Sequence, residues 1–211
     1  MGQAVTDLEL LERWGDGDRD AGGELFERYF DPLLRFFQNK VDHGVEDLVQ
    51  QTLLACVEGR ARFRGDASFR TYLFQTARFH LYAHYRKRSR QGEVDFALTS
   101  VADLGTSPSG VVARKQEQRW LLEALRRIPL EYQLVLELSI WEDLSGKEMA
   151  EILGIPEPTL RSRLRIAIER LRKQMLELSG DDHGITEVSG DFQEWARKVR
   201  EVIGWDAVTE D

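Results

Sequence analysis

Apolar residues recur at helical spacing along nearly the whole chain, and no stretch of the first half alternates as a half-buried strand does. Residues 5–14 place Val5, Leu8, Leu11 and Trp14 on one side of a short helix, and GDGDRDAGG after it reads as a turn. A second helix over 23–41 buries Leu25, Phe26, Tyr29, Phe30, Leu33, Phe36 and Phe37, with Pro32 as a kink point. A third, 45–59, turns Val45, Leu48, Val49, Thr52, Leu53 and Cys56 inward and leaves Glu46, Asp47, Gln50 and Gln51 outside. After a turn at 65–68 a fourth runs from 69 to 88. Helices resume near 113, where Trp120, Leu121, Leu125 and Ile128 pack one and Pro129 ends it. Leu134, Val135 and Leu138 then pack the next. The pattern predicts an all-α fold.

The stretch 145–175 has the most specific pattern. Ser145 and Glu148 form a capping box ahead of Met149, Ala150, Ile152 and Leu153. Gly154 makes a corner, Ile155 anchors it, and Pro156 and Pro158 prevent one helix from running straight through. From Thr159 a second helix carries Leu160, Leu164, Ala167, Ile168, Leu171 and Met175. Ala150, Gly154 and Leu160 have the spacing of a helix-turn-helix. Its second helix carries six cations and one acid between Thr159 and Lys173. A helix in the major groove reads bases near its N-terminus and holds phosphates further along. Thr159, Arg161, Ser162 and Arg165 are therefore the candidates for base or near-base contact, and Arg170, Arg172 and Lys173 for phosphate.

The net charge of −8 does not favour a nucleic-acid partner until it is mapped. Residues 1–31 and 181–211 each carry nine acids and three bases, while residues 60–90 carry nine bases and one acid. Screening beyond about 8 Å makes the local charge decisive. The helix 69–88 interleaves Phe69, Tyr72, Phe74, Phe79, Tyr82 and Tyr85 with Arg70, Arg78, Arg86, Lys87 and Arg88. Cations with ring faces suit a single strand whose bases have left the duplex, although several rings are needed for the core. Residues 91–112 are rich in Gly, Ser, Thr and Pro without a period and read as a flexible linker. Two basic modules on a tether result, at 1–90 and 113–178. Residues 179–211 form an acidic extension in which Asp191 caps a last amphipathic helix containing Phe192, Trp195, Ala196, Val199, Val202 and Ile203. The lone Cys56 reads as a buried thiol, and no apolar run reaches bilayer length. With no secretory pattern at the N-terminus, a cytoplasmic protein without membrane insertion is expected.

The order EDLVQQTLLACVEG, SFRTYLFQTARF, a linker, LEALRRIPLEYQLVLEL and SGKEMAEILGIPEPTLRSRLRIAIERLR resembles the extracytoplasmic-function (ECF) sigma factors of bacterial RNA polymerase, over roughly residues 22–178. The resemblance implies a sigma factor that binds core RNA polymerase and directs promoter recognition, opening and initiation, and is not an enzyme. It implies a first domain that binds the polymerase clamp and opens the minus-ten element, and a second that reads the minus-thirty-five element. Carried over by motif, Glu46, Asp47, Gln50, Gln51 and Thr52 match the polymerase-binding segment. Arg64, Asp66, Ser68, Arg70, Tyr72, Arg78, Phe79, Arg86 and Arg88 match the minus-ten region. The chain departs from the family at Tyr72, often Trp, at Phe79, often Asn, and at Pro158, often Gly or a small polar residue. No catalytic residue, cofactor or metal is implied; the partners are core polymerase, promoter DNA and, as a further candidate, an anti-sigma factor, with a monomer when free. A stand-alone helix-turn-helix regulator and a sigma-like protein-binding adaptor are the alternatives.

Overall fold

Eight helices are assigned among the described residues, which in this computed structural model are 5–59, 67–88, 94–104, 116–142 and 144–180. They are α1 (Asp7–Gly15), α2 (Arg19–Gln38), α3 (Val45–Gly59), α4 (Phe69–Arg88), α5 (Gln116–Arg127), α6 (Leu130–Trp141), α7 (Gly146–Leu153) and α8 (Glu157–Ser179). The fold is all-α, as the apolar period predicts. The helix expected from Asp191 onward lies outside the described residues, as do Arg64 and Asp66.

Local chemistry sets the helix ends. Thr6 and Glu9 close a capping box on α1, with the Glu9 carboxylate accepting from the Thr6 amide at 2.7 Å. The acidic turn before α2 ends sooner than its Gly-rich composition suggests. Asp18 caps the helix by accepting from the Asp20 and Ala21 amides, so the chain is already helical at Arg19. Gly22 is needed inside that helix because a Cβ there would lie 2.7 Å from the Trp14 indole nitrogen. α2 then runs through Pro32 as a single helix.

One apolar core runs through both halves of the molecule. Leu25, Leu33, Phe36 and Phe37 of α2 meet Phe69, Leu73, Phe74 and Ala77 of α4. The same cluster continues into Leu134, Val135 and Leu138 of α6 and Met149, Ile152 and Leu153 of α7. A second cluster joins α5, the opposite face of α6 and α8 through Leu121, Leu125, Leu136, Ile140, Ala167, Leu171 and Met175. Helix α6 is apolar nearly all round because it is buried on both sides.

Part of the segment read as a linker is anchored. Phe96 and Val101 are buried, and the Phe96 ring stacks on Tyr82 with centroids 4.2 Å apart. The backbone is tied on as well: the Leu130 and Glu131 amides donate to the Thr99 and Phe96 carbonyls, and Ala102 donates to Arg126. Composition reads as loose chain here because the turns dominate it, while two apolar residues suffice to hold the segment.

Candidate nucleic-acid interface

The helix-turn-helix forms as its spacing requires. The Ser145 hydroxyl accepts from the Glu148 amide, while the Glu148 carboxylate accepts from the Ser145 amide at 2.9 Å. The Ser145 hydroxyl also donates to that carboxylate at 2.7 Å, and this bond, more than the amide's, holds the Glu148 carboxyl below its usual range. Gly154 closes α7 in the left-handed region at φ 64°, a conformation that costs an L side chain roughly 1–2 kcal/mol. Pro156 sits at the N-cap of α8 and Pro158 within its first turn, where its missing amide proton leaves no helical bond unmade. The helix begins two residues earlier than Thr159 for that reason. Leu160, Ala167, Leu171 and Met175 are its buried side.

The opposite side of α8 is open. Arg161, Ser162 and Arg165 are exposed and Thr159 half-buried. Arg161 reaches Glu157 at 2.5 Å and Arg165 reaches Glu169 at 2.7 Å, both one turn away on the same helix. Such exposed pairs are worth a few tenths of a kcal/mol and yield readily to a stronger anion. The Ser162 hydroxyl donates to the Thr159 carbonyl at 2.9 Å. Farther along, Arg172 and Lys173 are exposed, and Arg170 lies over the Tyr132 ring at 4.5 Å. Arg163 is different: it is pinned to Glu131 of α6 at 2.5 Å. Lys147, at the start of α7, is exposed on the helix that would cross the backbone, and sequence reasoning passed over it.

The rings of α4 divide between core and surface. Phe69, Phe74 and Tyr85 are buried, and Tyr82 is packed under Phe96, its hydroxyl pushed up to about 12 by burial. Tyr72 is half-buried with its hydroxyl so close to Gly59 that a Cβ there would collide with it. Phe79 alone among these six rings is open, at 64% exposure. Arg86 is exposed and lies 5.9 Å from the Tyr82 and Phe96 rings; the Arg88 side chain lies outside the described residues.

Three of the minus-ten candidates are occupied from within the chain. Ser68, which also accepts from the Thr71 amide, reaches Glu148 at 3.3 Å; Arg70 reaches Glu142 at 2.9 Å; Arg78 donates to the Leu153 carbonyl at the end of α7. Burial raises the Glu142 carboxyl, opposed by its bond to Arg70. Beside this junction, the buried Lys40 ammonium pairs with Glu137, and its pKa is lowered by burial. No apolar period could signal these contacts, which cross 72 to 97 residues of sequence.

On α3, Glu46, Asp47, Gln50 and Gln51 share an exposed face that continues into Leu54 and Val57. Thr52 is not on it. It is fully buried and its hydroxyl donates to the Leu48 carbonyl at 2.7 Å, so it supports the helix from inside and cannot touch a partner directly. Among the described residues no group of acidic, His and Cys side chains is arranged to hold a metal, and no helix is long and apolar enough to cross a membrane.

Comparison with known proteins agrees with this geometry. Sigma-70 region 2 matches residues 25–91, which hold most of α2 with α3 and α4; Sigma-70, region 4 matches residues 118–171, which hold α6 and α7 with most of α5 and α8. An ECF RNA polymerase sigma-E factor of Haemophilus influenzae is 25% identical over 84% of this chain and 100% of its own length. The Escherichia coli K12 sigma-E factor is 26% identical over 84% of this chain and 98% of its own. RNA polymerase sigma factor YlaC of Bacillus subtilis is 27% identical over 74% and 93%. With both regions present in order over more than half its length, the chain belongs to the sigma-70 family of RNA polymerase sigma factors, in its ECF group.

Proposed function

We propose that this chain works as a promoter-specificity subunit, with two units that hold separate promoter elements while α3 holds core RNA polymerase. The observation that carries the reading is the open side of α8. A capped, glycine-turned helix pair presents Arg161, Ser162 and Arg165 to solvent, with cations one and two turns behind them. Residues 113–178 would read the minus-thirty-five duplex: Thr159, Arg161, Ser162 and Arg165 at base edges, with Arg170, Arg172, Lys173 and Lys147 on phosphates.

Residues 1–90 would take the minus-ten element. The exposed Phe79 ring offers stacking, or contact with a thymine methyl, where an amide would have offered hydrogen bonds. Arg70, Arg78, Arg86 and Arg88 all belong to α4 and would follow a strand, and Arg64, Asp66, Ser68 and Tyr72 complete the assigned set. Each unpaired base costs a few kcal/mol, which pocket contacts recover. Glu46, Asp47, Gln50 and Gln51 would contact the polymerase clamp, with Leu54 and Val57 adding apolar area beside them. The protein would act as a monomer in the cytoplasm, where an anti-sigma factor is a further candidate partner.

The test is assembly of the full chain with purified core polymerase on promoter-bearing DNA, probing thymines with permanganate. The expected result is a reactive patch near the start site that requires both proteins. Binding of the chain alone to a two-fold duplex site, with no gain from polymerase, would favour a stand-alone regulator instead.

A further inference from the structure

The cations of α8 have two kinds of partner. Arg161, Arg165 and Lys173 pair with Glu157, Glu169 and Glu177, all on α8 itself. Pairs within one helix cannot fix how that helix is turned. Arg163 and Arg170 instead reach α6: Arg163 meets the Glu131 carboxylate at 2.5 Å, and Arg170 lies over the Tyr132 ring at 4.5 Å. The Arg163 and Glu131 side chains are only 25% and 23% exposed, so salt screens this pair less than the surface pairs. The two arginines stand two turns apart on one flank of α8, about 10.5 Å along its axis. Two consecutive residues in the first turn of α6 receive them. The backbone there is tied down, with the Glu131 amide donating to the Phe96 carbonyl at 3.1 Å and the Tyr132 amide to the Pro129 carbonyl at 2.9 Å. One contact fixes a distance; two, separated along the axis, fix a rotation.

That rotation decides what Arg161 and Arg165 can reach. Turning α8 by about 20° carries a side-chain tip ~6 Å from the axis through ~2 Å. Such a displacement is larger than a hydrogen bond to a base edge tolerates. A bidentate contact to the right base discriminates by about 5- to 150-fold. Arg163 has a second effect. Released from Glu131, one turn from Thr159, it becomes a cation available to any phosphate, and phosphate contacts carry no sequence information. Arg170 serves both purposes, since a guanidinium that gives its face to a ring keeps its edge donors for a phosphate.

We propose that Glu131 and Tyr132 are positioning residues for promoter reading. They set the rotation of α8 through Arg163 and Arg170, and Glu131 withholds Arg163 from the phosphates. The inference rests on the promoter-binding reading above. Neither residue touches DNA; each acts through an arginine, and all four belong to the second unit. Discrimination between promoters then depends on the start of α6 as well as on the open side of α8.

The test compares the full chain with Glu131→Ala and Arg163→Ala in two assays. The chain alone is titrated onto an unrelated 30-base-pair duplex over a range of sodium chloride. With core polymerase, each protein then selects from a duplex pool randomised upstream of the start site. Glu131→Ala is expected to bind the unrelated duplex about threefold tighter, with a log–log salt slope steeper by about 0.9 for the one phosphate gained. Its enrichment of the upstream block falls about fivefold. Arg163→Ala loses the same enrichment without the steeper slope. Tyr132→Leu loosens the other brace, and its fall in enrichment decides the matter if Glu131→Ala loses its helical circular dichroism. A folded Glu131→Ala with the parent's slope and enrichment would overturn the proposal, as would lower enrichment at an unchanged slope, which is loss of packing alone. A parent that enriches no block rejects the promoter reading and this inference together, whereas an enriching parent with an indifferent variant rejects the inference alone.

Discussion

Lys40 is the most demanding side chain in the core. It is fully buried, its ammonium donates to Glu137 and to the Phe36 carbonyl at 2.5 Å, and it lies 4.5 Å over the Phe36 ring. Tyr85 donates to its carbonyl, which fixes the backbone there. Lys40→Met keeps the length and removes the charge. Glu137, 4% exposed, is then left with the Gln133 side-chain amide at 2.8 Å as its remaining described hydrogen-bond donor. A buried carboxylate stripped of its cation costs about 3–5 kcal/mol. With a urea slope of about 3 kcal/mol/M, the midpoint falls by about 1–1.7 M. Lys40→Met/Glu137→Met removes both charges and restores stability to within about 1 kcal/mol of the parent, since a well-packed apolar pair is often neutral or better. Urea melts followed by helical circular dichroism measure both. A single variant that loses less than 1 kcal/mol, or a double variant no more stable than the single, would refute the reasoning.

Arg161→Ala and Arg165→Ala should leave stability within about 0.5 kcal/mol, because each cation is exposed and paired only within its own helix. In the polymerase complex each should weaken promoter binding by about 1–3 kcal/mol, measured by competition against promoters altered upstream. Gly154→Ala places a Cβ at positive φ and 3.4 Å from the Arg78 guanidinium, and should lower Tm by about 2–4 °C for each kcal/mol lost. Burial pushes the Cys56 thiol up to about 12 from an ordinary 9.0. The folded state therefore keeps a proton that the unfolded chain loses, so this contribution to stability is full below pH 9 and declines as pH rises towards 12. Native protein should react slowly with a disulfide reagent at pH 8 and the urea-unfolded chain at once, while Cys56→Ala should flatten the alkaline loss in urea midpoint.

The parts of this fold written in local chemistry were readable in advance. The Ser145–Glu148 box, the Gly154 corner and the Leu160–Met175 stripe each involve neighbours on one helix, where periodicity speaks directly. The exposed Glu46, Asp47, Gln50 and Gln51 followed from the same logic, and Thr52, at an inward position of that wheel, is buried. The start of α2 was misplaced because Gly22 and Gly23 look like turn residues; Gly22 is there to admit the Trp14 indole. Contacts between distant segments were not readable. Nothing in an amphipathic pattern says that Arg70 will meet Glu142, that Lys40 will be buried against Glu137, or that Phe96 will stack on Tyr82. The pattern did not say which rings of α4 enter the core, since its aromatics lie all round the helix and only packing separates Phe74 from Phe79.

The central claim is that two helical units grip separate promoter elements on behalf of polymerase, and transcription from genomic fragments with purified core enzyme tests it most directly. The account predicts that adding this chain produces discrete start sites sharing two upstream sequence blocks at constant spacing. Initiation no different from core enzyme alone, or starts without shared upstream blocks, would contradict it.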